Sequence, residues 1–128
     1  MKTPPELVQS IGACVKDLNG KLKAYHETTL QSHGDLCDLN EAVQRNFYSI
    51  RHSIETIKIN IKLDVLGLTD LSQLAIVYRM IRKDLQDFRT KAVPSDVLVN
   101  NLVLMNSTGQ AIDQMIEDIN MAVAKKCN

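Results

Sequence analysis

Apolar residues recur at alternating steps of three and four through four stretches of this 128-residue chain. Residues three and four apart share a helix face, so each stretch, about two dozen residues long, carries one apolar stripe down a long helix. The pattern specifies a bundle. What it leaves open is whether the stripes are all spent on one core or leave a surplus for a ligand or partner.

The first stretch opens at Thr3-Pro4-Pro5-Glu6, where Thr3 can cap, Pro4 suits the first helical position and Glu6 can complete a capping box. Leu7, Ile11, Val15, Leu18, Leu22 and Tyr25 share a face, the pattern ends near Leu30, and Ser32-His33-Gly34 reads as a turn. A second helix opens at Asp35 and carries Leu36, Leu39, Val43, Phe47, Ile50, Ile54, Ile57 and Ile61. Its isoleucines favour strands, but a helical period sustained this long outranks propensity. Leu63 to Leu68 break the period and form a connection apolar enough to pack on the bundle end.

Thr69-Asp70 start a third helix through Leu71, Leu74, Tyr78, Ile81, Leu85 and Phe88, ending before Val93-Pro94. The fourth starts at Ser95-Asp96 and runs Leu98, Leu102, Met105, Ile112, Met115 or Ile116, Ile119 and Val123. Asn106-Ser107-Thr108-Gly109 interrupt it, and four poor helix formers in a row predict a kink or break. Acids at the helix starts (Glu6, Asp35, Asp70, Asp96) and bases near the ends (Lys58, Arg89, Lys91, Lys125, Lys126) complement the helix dipoles. Short connections make sequential helices antiparallel neighbours. The expectation is one all-α domain over residues 1–128, an up-and-down antiparallel bundle of four long helices, or five if the fourth is broken near Asn106-Gly109.

Fifteen basic residues offset fifteen acidic ones, so the net charge favours neither nucleic acid nor an anionic membrane. No apolar run approaches the roughly 20 residues of a membrane span, and Met1-Lys2-Thr3-Pro4 lacks the apolar stretch of a signal peptide. The chain is therefore intracellular, or its leader has been replaced by an initiating Met. Three cysteines, Cys14, Cys37 and Cys127, leave one over under any pairing. In a simple first hairpin Cys14 lies about four turns, roughly 24 Å, from Cys37, so these two do not pair. His26, His33 and Cys37 gather at the first turn but match no metal-ligand spacing. There is no Gly-x-Ser-x-Gly turn and no Gly-rich phosphate loop. The expectation is a noncatalytic protein without metal or cofactor.

The surplus lies in the second half. Leu74 to Tyr78 with Met80 and Ile81, and Val97 to Val99 with Leu102 to Met105, put apolar groups around most of the third and fourth helices. Helices apolar nearly all round are central, self-associating or lining a cavity. With no Trp and only two Phe, a wide bundle fills less completely with aliphatic side chains than with large rings, which favours a cavity. Its expected lining is Phe47, Ile50, Ile54, Tyr78, Ile81, Leu102, Met105, Ile112 and Met115, and its expected ligand a fatty acid or similar lipid. Tyr78, Tyr25 and the Ser107-Thr108 hydroxyls are the available polar anchors. The alternative is a helical adaptor or effector that binds a partner protein, or a homodimer, through the outer faces of the third and fourth helices.

Several segments also resemble a family. These are Leu-x-x-x-Ile-x-x-x-Val-x-x-Leu-Asn at Leu7 to Asn19, Leu66-Gly67-Leu68-Thr69-Asp70-Leu71, Ile81-Arg82-Lys83-Asp84-Leu85 through Phe88, and Val99 to Leu102 leading into Asn106-Ser107-Thr108-Gly109-Gln110-Ala111-Ile112. Spread over most of the chain, they are similar to the fungal hydrophobic-surface-binding proteins and related cell-wall mannoproteins. The resemblance implies an all-helical, secreted or wall-associated domain that holds fatty acids or similar lipids between its helices.

Overall fold

The computed structural model describes residues 4–128, with the side chains of all but Pro4, Pro5, Leu7 and Val8. Thr3 as a cap and Leu7 as a seam residue lie outside the described residues. The described residues form four helices: α1 (Pro4–Glu27), α2 (His33–Lys62), α3 (Leu68–Arg89) and α4 (Ser95–Cys127). At 1.5 Å per residue α4 is about 50 Å long and α2 about 45 Å.

Local chemistry sets most boundaries. Ser32 caps α2 in a complete capping box, its Oγ accepting the Asp35 N–H at 3.1 Å while Asp35 Oδ2 accepts the Ser32 N–H at 3.0 Å. The helix therefore starts two residues before Asp35, and His33-Gly34 belong to its first turn. α1 ends at Glu27, short of Leu30, whose side chain is exposed. Pro94, which donates no N–H, stands just before α4.

Direction alternates along the chain, as the short connections require, but the order around the bundle differs from the sequential one. α1 packs on α2 and α3, and α4 packs on α2 and α3, while neither diagonal, α1/α4 or α2/α3, makes a close approach. The five-residue link after α2 thus crosses the bundle to the opposite corner, because a short link fixes the direction of the next helix but not its neighbour. Antiparallel α1 and α2 are tied by Asn46 Nδ2 donating to Asp17 Oδ2 at 2.8 Å. Antiparallel α3 and α4 are tied by Arg82–Asp113 at 2.6 Å and Arg89–Asn106 at 2.9 Å. Parallel α2 and α4 share Asn101–Asn40, Arg51–Ser107 and Lys126–Asp64.

α4 runs unbroken through Asn106-Ser107-Thr108-Gly109, so the chain has four helices and not five. Ser107 and Thr108 keep their hydroxyls satisfied by donating to the Leu104 carbonyl at 3.1 and 2.7 Å, and Ser107 Oγ also accepts from Arg51 at 2.7 Å. Hydroxyls bonded back to a carbonyl one turn earlier strain a helix only slightly, which is too little to break it here.

Candidate functional site

The expected lining residues separate into interior and surface. Phe47, Ile50, Ile54, Tyr78, Ile81, Met105, Ile112 and Met115 are all buried in one continuous core. Leu102 is not; it is 44% exposed. At the start of α4 the inward face reads Val97, Asn101, Met105, Thr108, Ile112, one position earlier than the apolar pattern Leu98, Leu102 indicates. Asn101 can occupy that place because its amide donates to Asn40 Oδ1 at 2.8 Å and to the Val97 carbonyl at 2.7 Å. Both bonds are made by the amide N–H groups, which offsets their desolvation, while the buried Oδ1 of Asn101 has no partner among the described residues.

Three of these residues, Phe47, Met105 and Ile112, join Leu85 as the floor of a groove of about 300 Å³ between α3 and α4. Arg82, Gln86 and Arg89 from α3 face Asn106, Gly109, Gln110 and Asp113 from α4 across it. Gly109 opens the groove, since a Cβ there would meet nothing within 4 Å. Both guanidiniums are engaged, Arg82 with Asp113 and Arg89 with Asn106. A ligand with an apolar body and an anionic head could compete for them. Ile50, Ile54, Tyr78, Ile81 and Met115 do not line this groove.

Tyr78 is wholly buried and its hydroxyl has no hydrogen-bond partner. Burial alone pushes its ionisation far above the ordinary tyrosine value of 10.0. It is a core residue. Tyr25 is half-buried beside a different, shallow groove with Lys21, Thr28 and Asp35.

The surplus apolar residues are largely outside. Val99, Leu102 and Val103 stand on the exterior of α4, Val103 being 83% exposed, and Ile76 and Met80 on the exterior of α3. Val77 is half-buried against the core. Arg51–Ser107 and Asn40–Asn101 place the 40–51 stretch of α2 alongside the 101–107 stretch of α4, so exposed Tyr48 stands beside this part of α4. A second exposed group, Ile59, Leu63, Val65 and Leu68, surrounds the α2–α3 link. Of that link only Leu66 is buried, so the expectation that the whole segment packs on the bundle end holds for that residue alone.

Of the three residues at the first turn, His33 and Cys37 meet, with Nε2 3.5 Å from Sγ, one helical turn apart on exposed α2. His26 instead reaches the Lys91 carbonyl, in the link after α3, at 3.3 Å. Among the described residues no three His, Cys, Asp or Glu side chains converge as a metal set. Among the described residues no disulfide joins Cys14, Cys37 or Cys127.

Among the described residues the fold is a four-helix bundle with one continuous core and several exposed apolar residues. No protein-family model, no curated protein and no solved structure matches the chain. The likeness to the fungal lipid-binding family therefore rests on the sequence pattern alone.

Proposed function

We propose that this protein is a noncatalytic helix-binding module, an adaptor whose docking face is the outside of the first half of α4. The observation that carries it is the outward placement of Val99, Leu102 and Val103 on successive turns, with Tyr48 alongside. Steps of three and four on an outer helix face are the spacing at which an amphipathic helix inserts its own apolar side chains. Nothing in the core needs these residues, because Val97, Asn101 and Met105 already fill the inward positions. A photo-crosslinker introduced at Val103, in the cell that makes the protein, tests this. Adducts at position 103 but not at exposed Asn120 are expected, and their masses distinguish a second copy from another protein. Equal labelling at both positions, or none, overturns the reading.

A second reading follows from the α3–α4 groove: a fatty acid lies on Phe47, Leu85, Met105 and Ile112 with its carboxylate at Arg82 or Arg89. Its support is the apolar floor beneath two guanidiniums, a combination suited to an amphipathic anion. Native mass spectrometry should recover bound lipid, and fatty acid should raise the melting temperature. A clean unliganded mass with no thermal shift excludes it.

A further inference from the structure

Zero net charge conceals an uneven distribution. The C-terminal turns of α2 and α4 lie side by side, as the 2.8 Å Lys126–Asp64 pair shows, and leave between them a cleft of about 680 Å³. Four lysines line it, Lys58 and Lys62 from α2 and Lys125 and Lys126 from α4, over a floor of Ile61, Met121 and Ala122. Its acids are Asp64 and Asp118. Asp64 is neutralised by Lys126, and Asp118 accepts from Gln114 at 3.0 Å. Lys58, Lys62 and Lys125 have no ion pair among the described residues. Glu6 in the first turn of α1, Glu55 on α2, Asp70 in the first turn of α3 and Glu117 on α4 also lie toward this end of the bundle, but none of them lines the cleft, where four lysines meet two acids. The cleft itself is therefore cationic.

Directly beyond this cleft, the α2–α3 link presents Leu63 and Val65, each 63% exposed, to solvent. These side chains are held outward. The link is pinned by buried Leu66, by the Leu63 and Val65 N–H groups donating to the Ile59 and Asn60 carbonyls, and by Asp64 in its ion pair. Asp64 adopts a positive φ of 54°, a left-handed turn that Asp tolerates better than most residues. An apolar tip that cannot fold back, with lysines whose long stems reach past an apolar floor, is suited to the boundary between lipid headgroups and acyl chains.

We propose that this end of the bundle docks on an anionic lipid surface, Leu63 and Val65 entering the interfacial layer while Lys58, Lys62 and Lys125 meet the headgroups. Docking here is peripheral, since among the described residues no helix is long and apolar enough to cross a membrane. Charge complementarity selects a membrane over a partner helix at this end: a helix would need only the apolar tip, whereas the unpaired lysines add attraction to a negative surface.

The test is co-sedimentation of the full chain with vesicles of phosphatidylcholine alone and of phosphatidylcholine with phosphatidylserine. Binding is expected to the mixed vesicles only and to weaken with salt. Lys58→Ala and Lys62→Ala should each lower affinity about five-fold, and Val65→Asp should abolish binding while circular dichroism and the urea midpoint stay at their native values. Equal binding to both vesicle types, no binding to either, or binding that survives Val65→Asp overturns the proposal. So does equally tight binding of soluble glycerophosphoserine, which would make the cleft a headgroup site and not a surface dock.

Discussion

α2 and α4 run parallel, touch along their length and are the two longest helices, yet they spend their apolar residues differently. On α2 the seam from Leu39 to Ile57 is almost wholly inside, and its exposed face carries few large apolar groups besides Tyr48 and Ile59. Both inward faces admit polar residues, Asn46, Ser53 and Asn60 on α2 and Asn101 and Thr108 on α4, but only on α4 do three large apolar groups close together, Val99, Leu102 and Val103, stand outside. The same pattern of threes and fours thus yields a single-faced core helix in one case and a two-faced helix in the other. An apolar residue on a helix marks a face; which face is inward is decided by the polar residues that neighbours can satisfy. Asn40 accepts from the Asn101 amide, and with Asn101 inward the start of α4 sits one position away from the face its apolar residues mark.

The comparison breaks first at the core. Phe47→Ala on α2 removes one of the largest fully buried side chains, and a loss of about 3–5 kcal/mol in urea unfolding is expected. Asn101→Ala on α4 strands the Asn40 carbonyl oxygen and should cost about 1–3 kcal/mol. An unchanged midpoint would mean that the interior polar position contributes nothing.

Tyr78→Phe sharpens the account of the interior through pH. The unfolded chain's phenol ionises near the ordinary 10.0, whereas the buried one keeps its proton well beyond that. Its contribution is therefore whole below pH 10 and is lost as pH rises toward the folded value, by up to about 1.4 kcal/mol per pH unit. Stability at neutral pH should not fall in Tyr78→Phe, because the hydroxyl removed has no partner, and its decline above pH 10 should be shallower than that of the native chain. Parallel declines would place no titrating phenol in the core. Val103→Asp, the smallest effect on folding, should shift stability by no more than about 0.5 kcal/mol.

Helix number, type and approximate bounds were legible because the period is sustained and the caps are chemically explicit, as at Ser32 and Asp35. The α3 seam, Leu71 to Phe88, is buried at every expected position. The bundle order was not legible, because a short link constrains direction and not neighbour. Nor was the slip at Leu98 and Leu102, since Asn101 looks like a surface residue until Asn40 is brought beside it. The break expected at Asn106 to Gly109 failed because Ser107 and Thr108 turn their hydroxyls onto the Leu104 carbonyl. The groove residues Phe47, Met105 and Ile112 were legible as apolar. Arg89 at its rim read only as a base near a helix end, because its partner across the groove depends on which helix α3 adjoins.

The central claim, that the outside of α4 is a docking face and not spare core, is tested most directly by crosslinking from position 103 with position 120 as control. The account predicts a specific adduct at 103 that disappears when Val99→Asp is added without loss of folding. Identical, featureless labelling at both positions in a stably folded chain would contradict it.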